Sequence, residues 1–147
     1  MMKTVALTGG TGSGKSAISA MLTDKGLFVI DCDKIGHEII LRGNAAYDEL
    51  VSHFSEKILD KNGEIVRKRL GDIVFADREK LAFLNACTHK YINKEVADRI
   101  KFANSLPQKY KAVAIDIPLL KEGGIKNLCN EVWLVFADEE SRIKRIM

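Results

Sequence analysis

The chain has 147 residues, 46% of them hydrophobic and 29% charged, with a formal net charge of +3. That length is enough for a substantial core, while so mild a charge lacks the concentrated basic face that nucleic acid requires. Cys32, Cys87 and Cys129 are too scattered for a disulfide framework or a zinc site, and no apolar run approaches the roughly 18 to 20 residues of a membrane span.

Residues 3–7 read as a short buried strand, preceded by nothing that resembles a signal peptide. The next stretch is Thr8-Gly9-Gly10-Thr11-Gly12-Ser13-Gly14-Lys15-Ser16. Gly9, Gly14, Lys15 and Ser16 satisfy the spacing G-x-x-x-x-G-K-[ST] of a phosphate-binding P-loop. Glycines let successive N–H groups turn inward, and a side chain there would block the close approach of a phosphate. The helix expected from about Lys15 adds unpaired N–H groups and the positive end of its dipole. Gly10, Thr11, Gly12, Ser13, Gly14, Lys15, Ser16 and Ala17 are therefore the expected nucleotide-binding set. Lys15 reaches the outer phosphates and Ser16 offers a hydroxyl to Mg²⁺. ATP and Mg²⁺ are the implied ligands.

The first helix is expected to stop at Gly26, where glycine suits a helix end. Residues 27–30 form a continuous apolar run, read as a second strand of a parallel sheet, and it ends in Asp31-Cys32-Asp33. Residues 34–110 then read as helical. Ile35, Ile39 and Ile40 mark one short amphipathic stretch, and Leu50, Val51 and Phe54 mark another. Asp60 to Gly63 is a turn. A short helix spans residues 67–75, with Leu70, Ile73 and Val74 inward. A long helix follows over residues 79–104, its stripe formed by Leu81, Leu84, Ile92, Val96, Ile100 and Ala103, and Pro107 lies beyond it. The sheet resumes at residues 112–116 and again at 132–136, where Trp133 reads as core. The last residues, 138–147, open a helix and carry no capping signal, so the sequence is expected to end inside it. The predicted fold is α/β: a parallel sheet flanked by helices, residues 1–33 and 111–147, with a helical insertion over 34–110.

Ligands of open parallel sheets sit at the carboxyl ends of the strands, and three features collect there. Besides the P-loop there are Asp33 after strand two and Asp116 after strand three. Asp33 is either a base that orients or deprotonates an attacking hydroxyl, or an N-cap for a helix beginning near Lys34. Asp116 is either a metal-side carboxylate or a strand-end turn residue. His89 lies beside the apolar stripe, where a partly buried, hydrogen-bonded histidine is the commoner outcome than a ligand. Arg67 either grips a phosphate or is a solvated helix residue, and Arg145 either reaches a transferring phosphoryl group or lies on a solvated face. The cysteines carry no activating neighbour, and together they point to a reducing, cytoplasmic location.

Taken together, the segments Leu7 to Ser16, Asp31-Cys32-Asp33 with Ile35, and Gly63 to Arg67 with Leu70 and Val74-Phe75 resemble the dephospho-CoA kinases. So do Leu84-Asn85 with His89, Asp116-Ile117-Pro118-Leu119-Leu120 with Glu122, and Val132-Trp133 with Arg145. The specific part is Asp-x-Asp after strand two together with Pro-Leu-Leu-x-Glu after strand three. The resemblance implies transfer of the ATP γ-phosphoryl group to the ribose 3′-hydroxyl of dephospho-CoA. It makes Asp33 the base, with Lys15 and the loop amides on the phosphates and Ser16 facing the metal. Arg67, His89, Pro118, Leu119, Leu120 and Glu122 would line the acceptor side with Asp33. Lys90 after His89 and Lys121 before Glu122 depart from the family's pattern. So does the end of the chain, because the family continues into a helical lid and a fifth strand. The alternatives are another small-molecule P-loop kinase, acting on a nucleoside or its monophosphate, and a nucleotide-binding fragment with little activity.

Overall fold

Strand β1 (Lys3–Gly9) is buried at every position from Thr4 to Gly9, as befits a strand covered on both faces. In the computed structural model, which describes residues 2–9, 14–117 and 125–135, β1 lies inside a four-stranded sheet. Its companions are β2 (Phe28–Asp31), β3 (Ala112–Asp116) and β4 (Glu131–Val135), in the order β2-β3-β1-β4, with every pairing parallel. β1 runs two residues past its expected end because its two neighbours are staggered. β3 pairs with residues 3–7 and β4 with residues 5–9, so β4 extends the ladder to Gly9.

β4 corrects one expectation. Trp133 is 41% exposed and Leu134 70% exposed, so neither is core. The apolar run of this segment equals that of an inner strand, but among the described residues β4 pairs with β1 alone. The Trp133 indole N–H donates to Glu131 Oε2 at 3.2 Å, and Glu131 also pairs with Lys3 at 2.9 Å.

Helix α1 (Lys15–Asp24) begins after Gly14, which has φ of 91° and gives the helix no side-chain cap. A residue with a Cβ rarely adopts that conformation. The helix is closed by Gly26, also at φ of 91°, in agreement with the expected stop.

By its internal contacts the chain divides into two units, Met1–Asp33 with Glu95–Met147, and Lys34–Lys94. The helical unit runs from Lys34 to Lys94, and the residues from Glu95 onward group with the sheet. There, Val96, Ile100 and Ala103 are buried, and the Phe28 ring meets Phe102 and Tyr110 at 5.8 and 4.9 Å.

The helical unit contains most of α2 (Cys32–Glu38), then α3 (Ala45–Phe54), α4 (Arg67–Phe75) and the first part of α5 (Arg78–Asn104). Its core joins Ile40, Ala46, Leu50, Phe54, Ile58, Leu70, Val74 and Cys87. Ala46, Leu50 and Phe54 come from α3, Leu70 and Val74 from α4 and Cys87 from α5, while Ile40 and Ile58 come from the connecting segments. Each large aliphatic or aromatic side chain fully buried there contributes about 1.5–3 kcal/mol. Cys87 was missing from the expected stripe, because a cysteine does not announce itself as a core residue although it commonly is one. The expected turn is present. Asp60 Oδ1 accepts the N–H groups of Asn62 and Glu64, and a single antiparallel bridge joins Leu59 to Ile65 across it.

Candidate active site

The strand order creates the site before any side chain is considered. β1 connects past β3 to β2, whereas β3 connects past β1 to β4. Neighbouring strands that send their chains to opposite sides leave a crevice at their carboxyl ends, where ligands of open α/β sheets bind. Leu7 and Asp116 are register partners at this edge, and the Ile117 N–H closes it by donating to Leu7 O at 2.9 Å.

Into this crevice the start of α1 and the end of β3 deliver opposite charges. Lys15 Nζ lies 2.6 Å from Asp116 Oδ1, and each side chain keeps only 16% of its surface exposed. Ser19 Oγ, one turn further along α1, donates to Asp116 Oδ2 at 3.3 Å. Ser16 and Ala17 are exposed in the first turn of α1, which contains no acidic residue to offset its dipole. An ammonium, a hydroxyl and the unpaired N–H groups of a helix start therefore point to an anion of high charge.

Asp31 is the register partner of Asp116 on β2, so the exit of β2 stands beside the same edge. α2 begins at Cys32, two residues earlier than expected. Asp33 therefore occupies the first turn rather than the cap position, and Asp31 immediately precedes the helix. The N-cap reading of Asp33 fails on this geometry. Asp33 is exposed, whereas Cys32 beside it is buried. Burial, and then the nearby carboxylates of Asp31 and Asp116, push the Cys32 thiol up to about 12. It stays protonated and unreactive at neutral pH. Burial likewise raises Cys87 and Cys129, so all three free thiols lack activation.

Oxygen ligands are what Mg²⁺ selects, and it is typically held by one or two side chains together with substrate phosphates. The Ser16 hydroxyl and the Asp116 carboxylate fit that pattern. Among the described residues there is no cluster of three or more His, Cys, Asp and Glu side chains that could hold a metal unaided.

The remaining predicted residues fall in the helical unit or outside the described residues. Arg67 is exposed at the start of α4, with its Nη1 3.5 Å from His37 Nδ1. His89 is exposed on α5, not partly buried as its position beside the stripe implied. It follows the buried Cys87 by two residues, about 200° around the helix, and so faces away from that core. Lys90 after it bridges to Glu49 at 2.8 Å. Gly10, Thr11, Gly12, Ser13, Pro118, Leu119, Leu120, Glu122 and Arg145 lie outside the described residues. Ser19 is the residue sequence reasoning missed. Its spacing of four from Lys15 on one helix was the available signal.

The family model described as dephospho-CoA kinase matches residues 3–147. A dephospho-CoA kinase of Carboxydothermus hydrogenoformans is 41% identical over 143 residues, covering 97% of this chain and 68% of that protein. One from Fusobacterium nucleatum is 41% identical over 145 residues, covering 97% and 71%. Among solved structures, TT1252 from Thermus thermophilus superposes with a TM-score of 0.75 at 29% identity, covering 99% of this chain and 71% of that one. Dephospho-CoA kinase from Campylobacter jejuni gives 0.73 at 30% identity, covering 90% and 66%.

Proposed function

The chain belongs to the dephospho-CoA kinase family, the phosphotransferases of the last step of coenzyme A biosynthesis, and we propose how its residues divide that work. ATP is the phosphoryl donor and the ribose 3′-hydroxyl of dephospho-CoA the acceptor. Lys15 and the N–H groups from Gly10 to Ala17 hold the triphosphate, with Arg145 on the same ligand. Asp33 is the base that orients the acceptor hydroxyl and takes its proton. Ser16 and Asp116 would hold Mg²⁺, which neutralises charge on the transferring group when bound.

The acceptor side consists of Asp33, Arg67, His89, Pro118, Leu119, Leu120 and Glu122, and the helical unit is the acceptor-binding insertion. Arg67 supplies a fixed positive fork for a phosphate oxygen. Protonated, unactivated thiols and a modest charge suit a cytoplasmic enzyme acting on small phosphorylated molecules. No helix among the described residues is long and apolar enough to cross a membrane.

The observation that carries this reading is the half-buried contact of Lys15 with Asp116 at the crevice between β1 and β3. Phosphoryl transfer asks a protein mainly to position reactants and neutralise charge. A lysine already held at the crevice mouth by a carboxylate of the adjacent strand meets that demand. The test is a side-by-side assay of phosphoryl transfer from ATP to dephospho-CoA, AMP, CMP and uridine. Dephospho-CoA is expected to be preferred. A clear preference for a nucleoside or mononucleotide would reassign the acceptor.

A further inference from the structure

Ser19 lies outside the G-x-x-x-x-G-K-[ST] spacing, yet it touches the centre of the site. It follows Lys15 by four residues, so both side chains project from one face of α1. Together they take both oxygens of one carboxylate, Lys15 Nζ on Asp116 Oδ1 at 2.6 Å and Ser19 Oγ on Oδ2 at 3.3 Å. The threonine hydroxyls of α1 and α5 behave differently. Thr23 Oγ1 donates to Ser19 O and Thr88 Oγ1 to Leu84 O, each within its own helix, the usual local bond of such residues. Ser19 instead reaches across to a strand 97 positions away in sequence.

The two grips on Asp116 are not equivalent. The backbone of Asp116 is fixed as the last residue of β3, which leaves its side-chain torsions as the freedom to be controlled. Lys15 is an ammonium, and a triphosphate competes for it with several negative oxygens. Ser19 is neutral and half-buried, and an arriving phosphate has no comparable pull on its hydroxyl. We propose that Ser19 is a positioning residue. It holds the Asp116 carboxylate by Oδ2 when Lys15 turns to the nucleotide, which keeps Oδ1 directed at the start of α1, where Ser16 stands. This rests on the reading of Asp116 as the metal-side carboxylate.

The experiment is calorimetric titration of a non-hydrolysable ATP analogue, with and without Mg²⁺, into the chain and its variants, with melting temperature measured alongside. Asp116→Asn is expected to remove most of the affinity gained on adding Mg²⁺. Ser19→Ala is expected to reduce that gain about fivefold, because a 3.3 Å contact sits at the weak end of bonds to a charged group. Metal-free affinity and melting temperature stay as in the parent, and Ser19→Thr, which keeps the hydroxyl, restores the gain. In an Asp116→Asn background Ser19→Ala adds nothing.

If Asp116→Asn lost the gain while Ser19→Ala kept it, the positioning role would be overturned and the metal-side reading of Asp116 would stand. An equal loss with and without Mg²⁺ in Ser19→Ala would also overturn it, by showing a general effect on the helix. If Asp116→Asn kept the full gain, the reading of Asp116 would fall and the role of Ser19 with it.

Discussion

In the sheet-bearing unit the two charges that meet at the crevice are half-buried. Lys15 and Asp116 expose 16% of each side chain and lie 2.6 Å apart between adjacent strands. In the helical unit the polar candidates stand in solvent. Arg67 and His89 are exposed, and the pair Lys90–Glu49 exposes 57% and 38% of its side chains. Low exposure strengthens an ion pair and fixes its geometry, whereas charges in water are screened within about 10 Å at ordinary ionic strength. The first arrangement suits chemistry that depends on placement. The second suits capture of a long, charged acceptor by several weak contacts.

The largest expected effect is at Asp33, which belongs to the sheet-bearing unit yet is exposed. Asp33→Asn is expected to lower kcat by about 10²–10⁴-fold, the usual contribution of a general base, while affinity for an ATP analogue is retained. Steady-state turnover together with calorimetry measures both quantities. Near-normal turnover would make Asp33 a bystander and shift the contrast entirely onto Lys15 and Asp116.

The next effect is on stability and belongs to the helical unit alone. Leu50 is 0% exposed within a core built from α3, α4 and α5. Leu50→Ala is expected to destabilise the protein by about 2–5 kcal/mol, through lost burial and the cavity left behind. Urea denaturation followed by circular dichroism measures it. A cost below about 1 kcal/mol would mean that the small unit repacks freely and is not the defined platform its exposed charges need.

A smaller effect is expected at the acceptor. Arg67→Ala should raise KM for dephospho-CoA about tenfold with little change in kcat, as for loss of one contact to a charged group. Because Arg67 is exposed, added salt should raise the parent's KM and narrow the difference. Initial rates at two ionic strengths test this, and a fall in kcat at unchanged KM would place Arg67 with the chemistry instead.

What the sequence disclosed follows the same division between local and distant causes. The P-loop spacing, the start of α1 at Lys15 and the stop at Gly26 depend on residues that are neighbours in the chain, and they were legible. So was the carboxylate at the end of β3, because a buried run closed by Asp116 needs no partner to be noticed. The meeting of Lys15 with Asp116 was not legible from spacing. It depends on the order β2-β3-β1-β4, which sets residues about a hundred positions apart against one another. Trp133 was misread for the same reason, since β4 carries the apolar run of an inner strand but among the described residues pairs with β1 alone. His89 was misread by helical phase, because it lies about 200° around α5 from the buried Cys87.

The smallest effect concerns the surface pair that ties α3 to α5. Glu49 receives both contacts of the Lys90 ammonium and the Tyr91 hydroxyl. The bond from Lys90 first, and then that from Tyr91, hold its carboxyl below the ordinary value of 4.5. The same bond raises Lys90 above its ordinary value. For Glu49 the folded state therefore resists the proton more than the unfolded chain does. Its contribution is complete above the ordinary carboxylate range and fades as pH falls through the lowered folded value. The contribution of Lys90 has the opposite sense, complete below the ordinary ammonium range and lost as pH rises past the raised value. Between these limits the pair is constant, so neutral pH is a plateau. Glu49→Gln should melt slightly below the parent on that plateau, and the gap should close as pH falls from about 7 to about 3. Melting curves across that range measure it. A gap that stayed constant into acid would assign the link to the shape of the Tyr91 contact rather than to charge, and the helical unit would then owe nothing to its exposed ion pair.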